Sequence, residues 1–433
     1  MANVKTTLVN SWHNPELRKR LIFTIFMIVC FRIGASIPVP FIDRVAFTNL
    51  LNRFGSLGNM MDIISGGALS SVSLFAMGIQ PYINASIIIQ LLTVAIPALE
   101  RLQKEGETGR KKIQQIVRIV TVILGLMQAF FFWMATRHSA IDSHSTFLSG
   151  LVVIASFTAG TAVVMWIGEA INFNGVGNGI SILIFSGIIS RIPRMILSYR
   201  AYFDIWQTQS NFFLALILGV ILVLGALAVL TFVVFVHQSE RRIPVQYAKR
   251  VKGRKQYGGQ TSYIPIRVNQ SSVMPVIFAM AIIQIPSLIM TFFFINSDSP
   301  VVRWFRDISS NPIYYLIEVV LIISFTFFYA AIQYNPHEIA ANLQKNGGFV
   351  PGLRPGRPTS EYIAKTSHRL CWVDGIFLSL VTILPGIMGA LTHSHGLWFG
   401  GTAIIIVVGV CLDLVNQLES QLMMRHYKGF LNR

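Results

Sequence analysis

Charged side chains inside apolar segments are the first places to look for chemistry, because each costs about 2.5–3.5 kcal/mol to insert into a membrane. Arg32 lies near one end of the first apolar segment, and Glu318 lies in the outer part of the eighth. Asp374 and Asp413 lie toward the inner ends of the last two. These charges are few and scattered, and they form no deep relay of Asp, Glu and His. The sequence therefore argues against a carrier coupled to protons or sodium.

Motifs for catalysis or for cofactors are missing as well. No phosphate-binding loop of the Gly-x-x-x-x-Gly-Lys-Ser/Thr type occurs. The Gly-rich stretch 172–179 has no strand before it, which favours a tight turn with a helix cap over a dinucleotide site. His393 and His395 could bind a metal, but a short external turn without carboxylates makes a solvated turn the better interpretation. We predict no enzyme, no catalytic residue, no metal site and no cofactor.

The deep positions offer aliphatic and uncharged polar side chains instead. Rings of apolar side chains can gate a pore, because water leaves a narrow apolar constriction. A single isoleucine in an apolar helix more often packs against lipid or against the protein core. The candidates for such a ring are Ile79, Ile83, Ile180, Ile184, Ile277 and Ile406. Gln90 and Gln284 are the uncharged polar residues that accompany them.

The composition is that of a protein that crosses the membrane many times. Of the 433 residues, 53% are hydrophobic and 12% are charged, and the mean hydropathy is +0.60. Soluble domains carry roughly 25% charged residues. Residues 1–19 are mostly polar and the first long apolar run starts at Leu21, so no cleavable signal is predicted.

Ten apolar segments are long enough to be candidate spans, which places both termini on one side of the membrane. If they are spans, 25 of the 35 Lys and Arg residues lie on the side of the termini and 8 on the other. The positive-inside rule then places both termini in the cytoplasm. The segments cover about 21–37, 73–98, 115–136, 148–169, 179–198, 213–237, 272–295, 313–333, 368–392 and 397–417.

Residues 54–98 are the least regular part of this pattern. Residues 54–69 are apolar but Gly-rich and too short to span, whereas the part that follows is long enough for the roughly 20 residues of a span. A re-entrant segment beside a wet or gated interior fits this pattern. A surface helix before an ordinary span fits it equally well.

Two long loops on the cytoplasmic side, 238–271 and 334–367, suggest a docking surface. The first carries eight basic residues against Glu240, and the second carries the Pro- and Gly-rich run 347–358. If the basic residues only set the membrane topology, the positive charge of the first loop would be explained. The Pro and Gly residues of the second loop would not. An external linker at 198–212 leaves five segments before it and five after it. The two groups would then have opposite orientations in the membrane, as in an inverted repeat.

The motifs taken together resemble the SecY family, whose members form the central subunit of bacterial protein-conducting channels. The resemblance runs in family order over nearly the whole chain. It is carried by FRIGASIP (31–38), SGGAL (65–69), GIQPYINASIIIQLLT (78–93), KEGETGR (104–110), WIGE (166–169), GVGNGIS (175–181), ERRIPVQYAKR (240–250), NP (335–336), FVPGLRPG (349–356) and FGGT (399–402).

The resemblance implies an all-α protein with ten spans in two inverted halves, 1–197 and 213–433. Residues 56–69 would form a plug, and the six isoleucines would form the pore ring. Gln90 and Gln284 would lie at a lateral gate between the halves. The plug residues are Asn59, Met60, Met61, Ile63 and Ile64, and the docking residues are Arg241, Arg242, Lys249, Arg250, Arg354 and Arg357.

The function that the resemblance implies is passage of unfolded secretory polypeptides across the bacterial cytoplasmic membrane and sideways release of membrane helices into lipid. Implied partners are SecE, SecG, the SecA motor, the ribosome with its RNA, and signal sequences. From the residues alone, a secondary carrier lacks coupling charges and a membrane enzyme lacks any nucleophile–base pattern. The chain departs from the family at Phe41, where glycine is common, at the spacing of 237–239 before the Arg pair, and at Glu318.

Overall fold

The computed structural model of the protein describes residues 4–45, 47–48, 62, 65–136, 147–193, 212–247, 250–252, 255–257, 261–293, 312–392 and 401–431. Helices make up most of them, with five strands between. The helices are α1 Val4–His13, α2 Pro15–Gly34, α3 Gln80–Ala95, α4 Pro97–Lys104, α5 Glu107–Thr136, α6 Phe147–Asn174, α7 Gly179–Ile189, α8 Phe212–Gln238, α9 Met274–Phe293, α10 Pro312–Gln333, α11 Pro336–Lys345, α12 Arg357–Thr392 and α13 Gly401–Leu431. The strands are β1 Glu240–Tyr247, β2 Arg250–Lys252, β3 Lys255–Tyr257, β4 Thr261–Arg267 and β5 Gly348–Phe349.

Asparagine caps start three of these helices. Asn14 precedes α2 and accepts a hydrogen bond from the Glu16 amide, and Asn335 does the same before α11 for Glu338. In both helices a proline follows, where its missing N–H costs nothing. Asn178 caps α7 by accepting from the Ile180 amide. The Gly-rich stretch 172–179 is therefore a turn with a helix cap, as its sequence predicts.

Five helices in the described part of the chain are long and apolar enough to cross a membrane: Glu107–Met134, Phe147–Asn174, Ile313–Lys345, Arg357–Leu384 and Gly401–Met423. A sixth span is possible if α3 and α4 count as one, although the chain bends by 100° between them. Ile96 is extended at this bend because it precedes Pro97, and proline disfavours helical backbone in the residue before it. The chain is therefore a multi-pass membrane protein, and the count of ten spans stays a prediction.

The described residues group into two compact units. Unit 1 comprises Met1–Tyr199, Gln284–Asn311 and Val410–Arg433, and unit 2 comprises Arg200–Ile283 and Pro312–Gly409. The predicted halves, 1–197 and 213–433, describe membrane topology, which these units do not test.

Unit 1 is built around neighbouring helices that pack in sequence order. α3 packs on α5, α5 on α6, and α6 on both α2 and α7. One apolar core of this unit joins α5 and α6 to the chain that follows α2, with Phe47 stacked on Phe132 at 5.5 Å between ring centroids. A second cluster of Leu17, Val176 and Leu418 ties α2 to α13.

Unit 2 contains a three-stranded antiparallel sheet in the order β4–β1–β5. Ile243 and Val245 alternate with exposed residues along β1 and face a core that also holds Ile266 and Ile363. The all-α expectation was wrong for this loop. Apolar and polar residues alternate along this segment, which is the pattern of a half-buried strand. The segment was predicted as a loop because it carries many charged residues.

Candidate functional site

The segment between α2 and α3 has irregular backbone in the part that the structure describes. Residues 65–79 form successive tight turns rather than the helix that the span 73–98 requires, and α3 begins only at Gln80. Gly66 and Gly67 have φ values of 70° and 86°, which favour glycine. The Gly67 amide donates to the Asp62 carbonyl at 2.9 Å. We call residues 65–79, together with Asp62, the turn segment.

The turn segment is fixed on one side by the chain that leaves α2. The Val39 amide donates to the Val72 carbonyl at 2.9 Å, and the Leu74 amide donates to Ile37 at 2.8 Å. Phe75 stacks on Phe31 of α2 at 5.8 Å. This half of the segment is held by backbone hydrogen bonds and ring packing.

The other half contacts the end of α7. A Cβ on Gly66 would lie 2.6 Å from the Gly187 Cα, so only glycine allows this approach. Arg32 of α2 bridges the two, because it donates to the Gly66 carbonyl at 3.2 Å and to the Ser186 carbonyl at 2.9 Å. A cation is favourable at the C-terminus of a helix, where the last carbonyls lack partners. The Ser190 hydroxyl lies 3.4 Å from the same Gly66 carbonyl.

An ion pair joins Asp62 to Arg191 just beyond α7. The Asp62 side chain is 3% exposed and the Arg191 side chain 22%. The second carboxylate oxygen of Asp62 accepts from the Ser70 amide at 2.7 Å. We call Arg32, Ser186, Gly187, Ser190 and Arg191 the seat, because four of them contact the turn segment and the Ser186 carbonyl accepts a hydrogen bond from Arg32.

Sequence reasoning did not single out Asp62 or Arg191, which are 129 residues apart. The available signal was a lone acid in an apolar, Gly-rich stretch and a basic residue near the end of the apolar segment 179–198. Since an unpaired buried charge is costly, two such residues of opposite sign are candidates for each other. Arg32, which looked like an isolated charge in a span, has backbone carbonyls as partners.

Four of the six predicted ring residues lie in unit 1 as two pairs, each one helical turn apart. Ile79 precedes α3, and the Ile83 amide donates to its carbonyl at 3.0 Å. Ile180 and Ile184 share a face of α7. Ile79 and Ile184 are buried. Ile277 on α9 and Ile406 on α13 belong to unit 2, so the ring stays a prediction.

The other predicted residues of the channel are placed as follows. Gln90 lies on α3 and is partly buried, and Gln284 lies on α9. The named plug residues lie outside the described residues: Asn59, Met60, Met61, Ile63 and Ile64. The part of the predicted plug that the structure does describe, Asp62 and 65–69, belongs to the turn segment.

The predicted docking residues in unit 2 are exposed where the structure describes their side chains. Arg241 and Arg242 lie on β1, and Arg242 pairs with Glu240 at 2.7 Å. Arg354 lies in the turn before α12, and Arg357 begins α12. Arg250 lies on β2, and Lys249 lies outside the described residues. We call Arg241, Arg242, Arg354 and Arg357 the basic surface.

Two further acidic residues of the apolar segments are buried. Asp374 on α12 is fully buried and accepts from the Ser271 hydroxyl at 2.8 Å. Gln270, the residue before Ser271, accepts from the Ser367 hydroxyl at 2.8 Å. Glu318 on α10 is also buried. Asp374 therefore belongs to a local hydrogen-bonded junction with the chain before α9.

The departure from the family at Phe41 has a structural counterpart. Phe41 has a φ of 66°, and its side chain is exposed. A non-glycine residue in this left-handed conformation costs roughly 1–2 kcal/mol. This chain therefore holds a strained turn seven residues after the end of α2, at a position where glycine is expected from the resemblance.

Comparisons with known proteins agree with this picture. The family model described as SecY matches residues 73–415. Proteins named protein translocase subunit SecY are similar: that of Streptomyces scabiei is 41% identical over 98% of this chain and 99% of its own length. That of Thermus thermophilus is 41% identical over 97% of this chain and 96% of its own length. A solved structure of a protein conducting channel has a TM-score of 0.65 at 19% identity, covering 93% of this chain and 92% of that one, which supports the fold.

Proposed function

The chain belongs to the SecY family, and we infer from this membership that it forms a protein-conducting channel rather than an enzyme. It passes unfolded secretory polypeptides across the membrane and releases apolar helices sideways into lipid. The observation that carries this inference is similarity to translocase subunits over 98% of the chain. The few charges in the spans fit a passive channel whose energy comes from outside.

We propose that residues 56–69 plug the channel at rest. The contacts of Asp62 and 65–69 support this role, because tight turns held by side chains and glycine contacts can leave their seat without unfolding a helix. The fixed part of the turn segment, 72–79, would then act as the tether that keeps the plug attached to α3.

The six isoleucines are proposed to form the constriction that surrounds a translocating chain. Such a chain is extended and chemically varied, so a pore for it needs side chains that adapt to any sequence. An aliphatic collar does this, and at rest it excludes ions by dewetting. The two pairs at one-turn spacing, Ile79 with Ile83 and Ile180 with Ile184, support the proposal. Gln90 and Gln284 are proposed to lie along the lateral gate.

The proposed topology has ten spans in two inverted halves, 1–197 and 213–433, joined by the external linker 198–212. Both termini are placed in the cytoplasm of a bacterial cell whose inner membrane holds the channel. The bias of Lys and Arg toward one set of loops supports this orientation.

We propose that the basic surface, with Lys249 and Arg250, docks the SecA motor or the ribosome. Exposed arginines suit the phosphates of ribosomal RNA and acidic patches on a motor. Two solved structures with the same fold are ribosome complexes, one of canine Sec61 with a TM-score of 0.62 and one of yeast Ssh1 with 0.56. SecE and SecG are the proposed small subunits, by family resemblance.

Deleting residues 58–66 tests the plug. The deleted protein, reconstituted into liposomes, is expected to conduct ions at rest, whereas a carrier would only lose transport.

A parallel test places a single cysteine at Ile83 or Ile277 in a background without Cys30, Cys371 and Cys411. A stalled secretory chain is expected to crosslink there but not at Ile119, which is exposed on α5. A sealed deletion variant and no crosslinks would together contradict the channel.

Charge reversal at Arg354 tests the docking surface. Arg354→Glu is expected to impair transport that depends on the motor or the ribosome, while the amount of protein in the membrane stays constant. Arg101→Glu on the exposed face of α4 is the matched control. Loss of the Arg354→Glu protein from the membrane would instead indicate a structural role.

A further inference from the structure

The chain between β4 and α9, residues 268–273, is held to α12 by polar side chains that the proposed function does not use. The Ser271 hydroxyl donates to one carboxylate oxygen of Asp374, Oδ2, at 2.8 Å. The side-chain carbonyl of Gln270 accepts from the Ser367 hydroxyl at 2.8 Å. We call residues 268–273 the linker, and Gln270, Ser271, Ser367 and Asp374 the polar joint.

The sheet before the linker is attached to α12 in a different way, by an apolar core. Ile243 of β1 and Ile266 of β4 are buried together with Ile363 of α12. The first residue of the linker is also fixed, because the Val268 amide donates to the Ser239 carbonyl at 2.9 Å. The sheet, the start of α12 and the start of the linker therefore form one packed body, and the polar joint begins only after it.

The polar joint is not explained by stability alone. Gln270 Nε2 and Asp374 Oδ1 are buried, and they have no hydrogen-bond partner in the part of the chain that the structure describes. A buried polar network with such unmade bonds is less stable than an apolar core. The next residue, Ser272, has a φ of 54°, which is strained for a residue with a Cβ. Strain that is retained at one place points to a functional role.

The two unused atoms complement each other, because one is a donor and the other an acceptor. Ser367, Cys371 and Asp374 follow one another at helical spacing and share a face of α12. The Cys371 Sγ lies 3.7 Å from the Gln270 side-chain carbonyl. Asp374 is three residues further along α12, a rise of about 4.5 Å. A shift of the linker along α12 by less than one turn therefore brings the Gln270 amide to the unused oxygen of Asp374.

We propose that the linker is a hinge between α12 and α9, and that Asp374 holds it in two arrangements. In the first, which the structure shows, Asp374 accepts from Ser271, and Gln270 accepts from Ser367. In the second, the Gln270 amide donates to the other oxygen of Asp374 and the strain at Ser272 is relieved. The exchange replaces one hydrogen bond by another, so both arrangements are accessible. Asp374 and Gln270 are positioning residues, since they act through α9.

A movement of the linker is passed directly to α9. The amides of Val276 and Ile277 donate to the Val273 carbonyl at 3.2 and 3.3 Å, so the last linker residue belongs to the first turn of α9. α9 carries Ile277 of the proposed pore ring and Gln284 of the proposed lateral gate. The hinge therefore rests on the proposed channel function, in which α9 changes position when a polypeptide passes.

A polarity swap tests the hinge. Asp374→Asn keeps one oxygen for the Ser271 hydroxyl but replaces the unused oxygen by an amide, so two donors then face each other. Gln270→Glu instead makes two carboxylates face each other. Each single variant is expected to lower the maximal rate of SecA-driven transport of a secretory precursor into liposomes, by up to about tenfold, the factor that 1.4 kcal/mol corresponds to. The double variant restores one donor, one acceptor and one negative charge, so its rate is expected to return toward that of the unmodified protein.

Two further measurements separate the hinge from docking and from folding. The affinity of SecA for the liposomes is expected to stay constant, because the basic surface is intact in every variant. Transport is expressed per channel that remains folded in the membrane, and the temperature is kept below the thermal midpoint of the least stable variant. Asp413→Asn makes the same chemical change at an exposed position of α13 and is expected to leave the maximal rate unchanged.

The outcomes that would overturn the hinge are distinct from failure of the channel. If Asp374→Asn transports at the unmodified rate, the second oxygen has no role and the hinge is wrong. If the double variant is as slow as the slower single variant, the two residues do not act as a pair and the hinge is also wrong. Failure of the proposed channel would show in the unmodified protein, which would then transport no precursor at all.

A loss of SecA affinity at an unchanged maximal rate would place these residues in docking and would likewise overturn the hinge. Slow single variants, a recovered double variant and a constant affinity together support it.

Discussion

The seat in unit 1 and the basic surface in unit 2 use the same residue types for opposite purposes. Both regions hold arginines, and in each region an arginine pairs with an acidic residue and glycines lie nearby. The side chains of Arg191 in the seat and of its partner Asp62 in the turn segment are 22% and 3% exposed, whereas those of Arg357 in the basic surface and of its partner Glu361 are 86% and 64% exposed. Burial turns the first pair into a positional constraint. The second pair stays hydrated and adds little stability.

The glycines of the two regions differ in the same way. Gly66 has a positive φ, and a Cβ there would meet the Gly187 backbone. Gly352 has a φ of 82°, but a Cβ there would meet nothing within 4 Å. The first glycine is required by packing and conformation together, and the second by conformation alone. A motif read from the sequence does not separate these two reasons.

The largest expected effect is at Gly66. Gly66→Val places a branched side chain against the α7 backbone and strains the turn, and such overpacking costs about 1–3 kcal/mol before the strain is counted. We expect the resting channel to leak, measured as ion conductance in liposomes. Gly352→Val has similar conformational strain but open space, so it should stay sealed. Equal leaks would show that the contact between Gly66 and Gly187 does not distinguish the two sites.

Asp374 sharpens the comparison, because it is a buried acid that forms no ion pair with an arginine among the described residues. Asp374→Leu removes the acceptor of the Ser271 hydroxyl, and an unsatisfied buried group costs about 1–3 kcal/mol. We expect a lower thermal midpoint in detergent and unchanged resting conductance. Asp374→Asn keeps an oxygen that can accept from the Ser271 hydroxyl, so it should lower the thermal midpoint less than Asp374→Leu. A leak from Asp374→Leu at an unchanged midpoint would mean that this acid also takes part in gating.

Phe41 lies in the chain between α2 and the turn segment. Phe41→Gly removes the left-handed strain but makes the unfolded chain more flexible, so a net gain of at most about 1 kcal/mol is expected. The measurement is the thermal midpoint, with Phe41→Asn as a variant that tolerates the same φ at lower unfolded entropy. A fall in the midpoint for both would show that the Phe41 side chain makes a stabilising contact that outweighs the strain.

The smallest effect is expected on the basic surface. Arg357→Gln breaks an exposed pair with Glu361, and exposed pairs typically contribute about 0–1 kcal/mol. The thermal midpoint should not change measurably, even at low salt. A clear loss of stability would mean that this pair, like Asp62 with Arg191, is more than a hydrated surface contact.

Much of the fold followed from local patterns in the sequence. Asn335 and Pro336 are an exception, because 334–367 was predicted as a loop and these two residues start the helix α11. The turn before Gly179 was predicted with its cap, and the family was recognised from motifs in chain order. The strands β1 and β4 were not predicted. The eight basic residues in 238–271 indicated an exposed loop, although Ile243 and Val245 alternate with polar residues as in a strand. The end of α3 at Ile96 was missed, although Pro97 marked it.

The sequence by itself determined that this chain crosses a membrane many times, carries few charges within its spans and belongs to a channel family. These properties depend on composition and on short-range spacing, which are visible in one dimension. Only the tertiary structure decided that Asp62 meets Arg191, that Gly66 lies on Gly187 and that Arg32 bridges them. Each of these contacts to α7 and the residues after it joins positions more than a hundred residues apart, and their energies depend on how completely water is excluded from them.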